Sequence, residues 1–326
     1  MAKYKIVFTD YFYPNNDKEV EILKQLGDVE IVDCTKIEKG GIKEEDKVIK
    51  YTKDADAIIL QFANISKKVI DHLKKCRIIS RYAIGVDTID VEEAKKRGII
   101  VSNVPDYCIE EVSDSAIAHI FNCIRKISFA NNLFHNKLWS YEKIKPMYRF
   151  SDQTLGLIAF GNIGRRVAEK LKPFNLRILA YDPYFKDKEN KYNWVKFVTL
   201  EEILSESDII SIHAPLNKET HHLINNNTIS LMKDGVVIIN TSRGGLIDEN
   251  ALEEGIKNKK VSMAGLDVLE YQDEEYYKSV LLKYPERVII TPHISWYSEG
   301  AIFDLQRKAA LNVYEMLKNG KPIYSV

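Results

Sequence analysis

The feature that most constrains the fold is a regular alternation of short β-branched runs with amphipathic segments along most of the chain. Apolar residues between the runs recur at helical spacing, as at Val20, Leu23 and Leu26. Strand–helix alternation of this kind is typical of a doubly wound α/β fold built on a parallel sheet. The first series of predicted strands comprises Lys5–Thr9, Val29–Asp33, Ala57–Gln61, Ile78–Arg81 and Ile99–Asn103.

A second series begins at Thr154, after a long helix that the apolar pattern predicts from Glu110 to Lys137. Its strands are almost continuously apolar, as expected for parallel strands that are covered on both faces. The sequence therefore predicts two doubly wound parallel-sheet domains. The strands of the second series are Thr154–Phe160, Arg177–Tyr181, Ile209–His213, Val236–Thr241, Ser262–Asp267 and Val288–Thr291.

A last helix, predicted from Gly300 to Asn319, cannot extend the second sheet, so we expect it to return to the first unit. The sequence thus predicts a discontinuous domain of residues 1–103 and 294–326, interrupted by a second domain of residues 104–293. A length of 326 residues agrees with two domains. We expect the lysine-rich stretch Lys186–Lys191 to be a solvated loop.

Composition argues against several classes of function. Lys and Arg together number 47 and Asp and Glu 47, so the chain has no net charge that would attract nucleic acid or an anionic membrane. No apolar run is long enough to span a bilayer, and the N-terminus lacks the apolar region of a signal peptide. Four scattered cysteines indicate reduced thiols and a cytoplasmic protein, with a reactive cysteine left open and no metal site predicted.

A turn rich in glycine follows the first strand of the second series. The dinucleotide fingerprint uses three glycines, for the tight turn, for approach of the pyrophosphate and for helix packing. Ala159 takes the first place, where an alanine fits if the residue keeps a negative φ, and Gly161 and Gly164 take the others. The helix that starts at Asn162 and Ile163 would offer free N–H groups and a partial positive charge to a diphosphate.

The next strand ends at Tyr181, and Asp182 follows 18 positions after Gly164. A carboxylate at this place accepts hydrogen bonds from the adenosine ribose and repels a 2′-phosphate. The spacing therefore predicts NAD rather than NADP as the cofactor. The alternative is that Gly161 and Gly164 are plain turn glycines and that Asp182 is a helix cap before Pro183.

Two later strand ends carry an arginine and a histidine. Arg243 is followed by two glycines and offers a planar fork for a carboxylate; the alternative is an arginine that only caps the turn or pairs with Asp248 or Glu249. His293 follows Thr-Pro at the carboxyl edge of the sheet, where open α/β sheets bind ligands. A histidine there can give or take the proton of a reacting hydroxyl, whereas an isolated histidine is more often structural.

In combination these segments resemble the D-isomer-specific 2-hydroxyacid dehydrogenases. The resemblance rests on the fingerprint ending in Asp182-Pro183, on segments 211–217 and 240–248 and on Thr291-Pro-His293, and it extends over nearly the whole chain. Segments 221–225 and 293–298 are most similar to the C-terminal binding protein-like branch. The resemblance implies a Rossmann-type NAD domain, a flavodoxin-like substrate domain, an active site in a cleft and a homodimer.

The resemblance also implies the chemistry. Hydride would pass between the nicotinamide and a small 2-hydroxy or 2-oxo acid, D-specific as in the family, while His293 acts as general acid and base. Arg243 would bind the substrate carboxylate and polarise the carbonyl. The backbone amides of Ile84 and Gly85 would hold the same carboxylate, assisted by Arg81.

Further positions match the family's pockets. Trp296 would shape the pocket for the substrate side chain, or else pack between domains. The cofactor-binding residues implied by the resemblance are Val112, Gly161, Asn162, Ile163, Gly164, Tyr181, Asp182, Pro183, His213, Ala214, Pro215, Thr241, Ser242 and Asp267.

One position departs from the family pattern. The family has a glutamate five positions after the aspartate that Asp267 matches, and this glutamate orients the catalytic histidine and raises its pKa. Here Gln272 stands at that position; it can accept a hydrogen bond from the ring but brings no charge. A shifted loop would deliver Glu274 instead, and we expect Glu270 to point elsewhere.

Two other functions stay open. A non-catalytic NAD(H)-binding protein that signals redox state would bind NADH tightly without turnover, and Gln272 motivates this reading. An NAD enzyme that acts on amino or phosphonate acids would keep Arg243 and His293 but show no activity with 2-oxo acids.

Overall fold

The computed structural model describes residues 3–186 and 190–326 and divides into two compact units. The first unit comprises Met1–Cys108 and Ser298–Val326, and the second comprises Ile109–Tyr297. Each unit is built on one parallel sheet, which confirms the predicted fold class. The stretch expected to be a solvated loop falls partly outside the described residues, at positions 187–189.

The first unit holds a five-stranded sheet in the order β2-β1-β3-β4-β5, which is the flavodoxin-like order. Its strands are near-continuously apolar and buried, apart from the edge strand β2. The strands are β1 Tyr4–Phe8, β2 Val29–Asp33, β3 Ala57–Leu60, β4 Ile78–Arg81 and β5 Ile100–Ser102. The helices are α1 Asp17–Lys24, α2 Glu45–Thr52, α3 Lys67–His72, α4 Val91–Lys96 and the C-terminal α11 Glu299–Asn319.

The second unit holds a seven-stranded sheet in the order β12-β11-β10-β9-β6-β7-β8. The order reverses between β6 and β9, and open sheets of the Rossmann type bind ligands at such a reversal. The strands are β6 Thr154–Ile158, β7 Arg177–Tyr181, β8 Lys196–Phe197, β9 Ile209–Ile212, β10 Val236–Asn240, β11 Val261–Leu266 and β12 Val288–Ile290. The helices are α5 Ile109–Arg125, α6 Ile127–His135, α7 Asn162–Leu171, α8 Leu200–Glu206, α9 Asn226–Leu231 and α10 Glu249–Lys257.

The predicted helix from Glu110 to Lys137 is wrong in one respect, because two helices replace it. Lys126 adopts a left-handed backbone with φ +51°, which ends α5 and starts α6 in a new direction. The side chain of Asn122 stabilises the break by accepting a hydrogen bond from the backbone N–H of Ser128 at 2.9 Å. The short strand β8 was not predicted, since two exposed residues leave no apolar run.

The units divide between Cys108 and Ile109 and between Tyr297 and Ser298, rather than after residues 103 and 293. The segment after β5 stays with the first unit because Val104 N–H donates to Ala83 O at 2.9 Å. The segment after His293 stays with the second because Ser295 N–H donates to Asp267 at 2.8 Å. Strand ends alone do not reveal such tertiary hydrogen bonds. The predicted domain bounds therefore lie five residues before the first division and four residues before the second.

Helix α11 packs on β4 and α1 of the first unit, although it follows the whole second unit in sequence. The Ser80 hydroxyl donates to Ala309 O at 3.0 Å, and the Asn312 amide donates to Asn103 O at 3.0 Å. These bonds satisfy polar groups inside an apolar core of Phe8, Val313 and their neighbours. In the described part of the chain, no helix combines the length and apolarity needed to cross a bilayer.

Candidate active site

The glycine-containing turn lies between β6 and α7, at the point where the strand order reverses. Ala159 has φ +70°, so it does not keep the negative φ at which an alanine would fit without strain. The first fingerprint position demands a left-handed backbone here, and Ala159 N–H is held there by Tyr181 O at 2.8 Å. A left-handed alanine costs about 1–2 kcal/mol, which the surrounding turn must overcome.

The two true glycines have different physical roles. A Cβ at Gly164 would stand 2.5 Å from Ala159 O, so this residue must be glycine for α7 to pack against the turn. A Cβ at Gly161 would meet nothing within 4 Å, so the protein itself does not require glycine there. Gly161 is also the N-cap of α7 and provides no side chain to cap the helix. An open cradle at an uncapped helix N-terminus fits the diphosphate of a dinucleotide.

Asp182 follows β7, and its carboxylate hydrogen-bonds both the turn after β6 and the segment that follows Asp182 itself. One carboxylate oxygen accepts from Phe160 N–H at 2.8 Å, and the other accepts from Tyr184 and Phe185 N–H at 2.9 and 3.0 Å. These bonds hold a turn, and no helix begins after Asp182 in the described part of this segment, so the alternative of a helix cap is not observed. A pocket of about 570 Å³ opens beside the carboxylate, and its lining includes Asp182, Pro183 and Thr199. Its size is suited to a nucleoside, and each carboxylate oxygen has further lone pairs for a ribose hydroxyl.

Buried polar atoms without a partner lie at the ends of β9 and β10. Among the described residues, neither the Thr241 hydroxyl nor Nδ1 of His213 has a hydrogen-bond partner. Nε2 of His213 contacts the Ser211 hydroxyl at 3.0 Å, and burial lowers the pKa of His213 to about 4. Buried polar groups are normally paired, so these atoms fit a place that a polar cofactor completes.

The turn that carries Arg243 is built by its neighbours. Asn240, fully buried, accepts from Ser242 N–H at 3.0 Å and donates to Arg243 O at 2.8 Å. A Cβ at Gly244 would stand 1.9 Å from Leu269 O, so the turn presses directly on the segment after β11. This close approach requires glycine and brings the arginine turn beside the segment that holds Gln272.

Asp248 and Glu249, the carboxylates considered as structural partners of Arg243, each accept hydrogen bonds from other groups. Asp248 caps α10 by accepting from Asn250 and Ala251 N–H. Glu249 accepts from Glu270 N–H at 2.8 Å and from the Ser279 hydroxyl at a shorter distance.

His293 lies next to Gln272, as predicted for the unshifted loop. Nδ1 of His293 is 2.9 Å from Oε1 of Gln272, and Nε2 of Gln272 donates to Leu269 O at 3.1 Å. The Gln272 N–H group donates to the Leu269 carbonyl, so the Gln272 oxygen is the atom that faces the imidazole. An oxygen can only accept, and Nδ1 of His293 therefore carries the proton. Nε2 of His293 is then the nitrogen that can exchange a proton with a substrate. Glu274 lies exposed on a 3₁₀ turn, and Glu270 points away to His222, as expected.

The pKa of His293 is lowered from its usual value. Desolvation by the surrounding protein is the main cause, and the guanidinium of Arg243 acts in the same direction. The carboxylates of Asp267 and Asp273 act in the opposite direction without reversing the shift. With Gln272 in the place of a glutamate, the ring is hydrogen-bonded to an amide oxygen, and no carboxylate of the described residues bonds to it.

Asp267 organises the turn that presents His293. Its carboxylate, 1% exposed, accepts from the Thr291 hydroxyl at 2.5 Å and from the backbone N–H groups of Ile294 and Ser295 at 3.0 and 2.8 Å. These bonds hold His293 in a left-handed backbone with φ +53°. A predicted cofactor-binding residue thus has a clear scaffolding role.

His119 was missed by the sequence analysis. Its Nε2 lies 3.1 Å from the Thr291 hydroxyl, whose proton goes to Asp267, so the imidazole is the donor. Burial lowers the pKa of His119, which keeps the ring neutral. A Cβ at Gly265 would stand 2.9 Å from Cβ of His119, so the β11 glycine makes room for this helix. The sequence feature that could have indicated its role is a single histidine on the otherwise apolar buried face of α5.

Trp296 supports the same turn from outside. Its indole N–H donates to His293 O at 2.8 Å, and its ring meets Tyr297 edge to face at 5.7 Å. The hydrogen bond from Trp296 fixes the backbone carbonyl of His293, the residue with the left-handed backbone. A role in the substrate pocket stays a prediction.

The first unit presents the predicted carboxylate-binding loop after β4. Ile84 O accepts from the Asn103 amide at 2.7 Å and Gly85 O accepts from Arg81 at 2.9 Å, so the loop is held by its carbonyls. Within the described residues, no hydrogen bond is recorded for the N–H groups of Ile84 and Gly85. Arg81 is buried, donates also to Gln61 O at 3.2 Å and lies 3.6 Å from Asp87. The bond to Gly85 O positions the loop.

The remaining predicted cofactor residues lie at the same edge of the second unit. Val112 is buried on α5, which packs on β10 and β11. Ser242 donates to Ile212 O at 2.9 Å, which joins the ends of β10 and β9. The others lie on the first turn of α7, at the end of β7 and after β9; they are Asn162, Ile163, Tyr181, Pro183, Ala214 and Pro215.

The four cysteines take no part in this site. All four are buried and form no disulfide, and burial raises the pKa of the Cys34 and Cys76 thiols to about 12. A thiol held in its protonated form is a poor nucleophile, which argues against Cys34 or Cys76 as a reactive cysteine.

Comparison with known proteins identifies the family. The family described as "D-isomer specific 2-hydroxyacid dehydrogenase, NAD binding domain" matches residues 117–295. A hydroxypyruvate reductase of Thermotoga maritima is 34% identical over 321 residues, which cover 97% of this chain and 98% of the relative.

Two solved structures extend the likeness to the whole fold. A D-lactate dehydrogenase from Aquifex aeolicus, complexed with NAD and lactic acid, superposes with a TM-score of 0.80 at 28% identity over 98% of each chain. An acyclic imino acid reductase, in complex with NADPH and D-Arg, superposes with a TM-score of 0.85 at 28% identity over 99% of each chain. The finer assignment to the C-terminal binding protein-like branch stays a prediction. The chain belongs to the D-isomer-specific 2-hydroxyacid dehydrogenase family, whose members are oxidoreductases that act on CH–OH groups with a nicotinamide cofactor.

Proposed function

We propose that the protein is an NAD-dependent D-2-hydroxyacid dehydrogenase that interconverts small 2-oxo and 2-hydroxy acids. The observation that carries the proposal is the fixed tautomer of His293, whose Nδ1 is 2.9 Å from the amide oxygen of Gln272. This bond directs Nε2 toward a reacting oxygen, beside a guanidinium on the adjoining turn. The Thermotoga maritima relative, a hydroxypyruvate reductase, suggests the substrate class.

Each polar group has one task in this proposal. The amides of Ile84 and Gly85 bind the substrate carboxylate, because backbone N–H groups held in a fixed loop bind anions well. Arg243 binds the same carboxylate and stabilises the charge that develops on the carbonyl oxygen. The nicotinamide, when bound, supplies the hydride. His293 gives its Nε2 proton to the oxygen during reduction and takes it back during oxidation.

We propose NAD over NADP because of Asp182. Its carboxylate stands at the end of β7 beside the pocket, where a 2′-phosphate would meet a negative charge. The solved structures of similar fold hold either cofactor, since one is complexed with NAD and another with NADPH. Comparison of NADH and NADPH as reductants tests the choice: a preference for NADPH would contradict it.

We also propose that the protein acts as a homodimer in the cytoplasm. Large apolar side chains are exposed on α6 and on the segment after it, and Trp139 is 91% exposed. Exposed apolar surface of this extent is typical of an interface. Four free, buried thiols agree with a reducing compartment.

The first experiment is NADH oxidation with glyoxylate, pyruvate, hydroxypyruvate, and branched, aromatic and thioether 2-oxo acids over a range of pH. We expect turnover with at least one acid, a loss of at least a hundredfold in kcat for His293→Ala, and no change for His72→Ala. His72 is a matched control, since it is exposed on α3 of the first unit. NADH binding without turnover at any pH would favour the redox sensor, and reduction of imino acids alone would favour a function like that of the imino acid reductase.

A further inference from the structure

A cluster of two histidines and a glutamate lies outside the site described above. His221 and His222 are adjacent in sequence, yet their rings stack with centroids 3.9 Å apart and planes 25° apart. Adjacent side chains in an extended chain point to opposite sides. The stack arises because His222 adopts a left-handed backbone with φ +50°, a conformation that a bulky residue rarely adopts.

The backbone around the cluster is held from several sides. His222 N–H donates to Gly245 O at 2.8 Å, and the Asn225 amide donates to His222 O at 2.8 Å. On the facing segment, Glu270 N–H donates to the Glu249 carboxylate at 2.8 Å. The three side chains therefore project from fixed positions rather than from loose loops.

The donor atoms suit a transition metal. One ring nitrogen from each histidine and one carboxylate oxygen of Glu270 all lie within 4.8 Å of one another. Ligand bonds to zinc are about 2.0–2.2 Å, so ligand atoms around a tetrahedral ion stand somewhat closer together than this limit. Small rotations of the side chains would complete the site. His221 is exposed, which leaves a path for the ion and a fourth position for water.

A simple ion pair accounts for only part of the arrangement. Nε2 of His222 is 3.0 Å from Oε1 of Glu270, which explains that contact but not the placement of His221. The stack places a second imidazole beside the His222–Glu270 pair, and imidazole is a common ligand of transition metals.

We propose that His221, His222 and Glu270 form a binding site for a divalent transition ion of the Zn²⁺ class. Two imidazoles and one carboxylate select Zn²⁺, Co²⁺ or Ni²⁺ over Mg²⁺ and Ca²⁺, which prefer oxygen ligands alone. The sequence analysis predicted no metal site, because adjacent histidines and a glutamate 48 positions later form no spacing motif. A bound ion links the segment before Gln272 to the loop anchored on Gly245.

The test is calorimetric titration of tag-free, chelator-treated protein with ZnCl₂. We expect one equivalent to bind with micromolar affinity, at least a tenfold weaker affinity in His222→Ala and in Glu270→Gln, and unchanged affinity in His72→Ala and Glu274→Gln. MgCl₂ should produce no binding heat. Absence of Zn²⁺ binding to the wild type, or equal affinity in the two site variants, overturns the proposal.

A spectroscopic test covers the case in which a site variant fails to fold. His221→Gln leaves the strained residue and its ion pair intact, so its circular dichroism and melting temperature without metal should match the wild type. CoCl₂ added to the wild type should develop the visible bands of a four-coordinate ion, and these should be absent in His221→Gln. Identical spectra in the two proteins, or a six-coordinate spectrum in the wild type, overturn the proposal.

Discussion

Gln272 preserves the geometry beside His293 while it removes a charge. Its oxygen accepts from Nδ1 at 2.9 Å, and its own N–H is fixed by Leu269 O at 3.1 Å. Orientation and tautomer are therefore kept. The pKa of His293 is lowered because desolvation and the Arg243 charge dominate. Reduction of a 2-oxo acid needs the protonated imidazole. We therefore expect the reductase activity to be highest at acidic pH and to decline as the pH rises through the lowered pKa of His293.

Replacement of this amide by a carboxylate tests the argument. In Gln272→Glu we expect the pKa of His293 to rise by about one unit or more, because an adjacent opposite charge stabilises the imidazolium. The descending limb of kcat/KM for 2-oxo acid reduction should move to higher pH by the same amount. The control Glu274→Gln removes an exposed carboxylate from the same segment and should leave the profile in place. Coincident profiles for Gln272→Glu and wild type would show that Gln272 does not tune His293.

Ala159 is strained where a glycine would be relaxed. Its φ of +70° predicts that Ala159→Gly raises the free energy of unfolding by about 0.5–1 kcal/mol, after allowance for the greater freedom of glycine in the unfolded chain. Ala118, exposed within α5, provides the matched control, since Ala118→Gly should lower that free energy by about 1 kcal/mol. Denaturant unfolding of both variants measures the difference. Equal destabilisation by the two substitutions would contradict the strain argument.

At the scale of elements, the turn between β6 and α7 separates the requirements of packing from those of binding. Gly161 faces open space and Gly164 faces Ala159 O at 2.5 Å. A methyl group at Gly161 is therefore tolerated by the fold but would intrude on a bound diphosphate. A methyl group at Gly164 would push α7 away from the turn.

The two alanine variants should separate these roles. Gly161→Ala should keep the wild-type melting temperature and raise the Kd for NADH about tenfold or more, a loss of about 1.4 kcal/mol. Gly164→Ala should lower the free energy of unfolding by about 1–3 kcal/mol through overpacking. Calorimetry for stability and fluorescence titration for NADH measure both. Unimpaired NADH binding by Gly161→Ala would place the diphosphate elsewhere.

At the scale of the whole molecule, the segment from α6 onward carries unusual apolar exposure. Ile127, Phe134, Trp139 and Tyr148 are 56%, 59%, 91% and 65% exposed. Trp139→Glu should shift the proposed dimer toward monomer in sedimentation velocity, because a charge cannot be buried in an apolar interface without a large cost. Ile37→Glu, at another exposed apolar position in the first unit, should not. A wild type that sediments as a monomer would contradict the dimer outright.

The sequence determined the fold class because the strands are buried and apolar on both faces. Such runs have a local signature, and most predicted strands agree with the observed ones to within one or two residues, as at Val29–Asp33 and Arg177–Tyr181. The candidate residues at strand ends were likewise visible, because the topology of a parallel sheet brings carboxyl ends to one edge. Gln272 beside His293 followed from the family resemblance, which implies a residue that orients the histidine five positions after Asp267.

Tertiary structure alone decided the features that depend on contacts between distant segments. The break at Lys126, the left-handed backbones of Ala159 and His293 and the placement of His119 against Gly265 leave no periodic signal in the sequence. Asp267 could be predicted as a site residue, but its task of holding residues 291–295 became visible only from its hydrogen bonds. Hydrophobic periodicity reports which face of an element is buried, whereas strain and hydrogen bonding are set by what packs against that face.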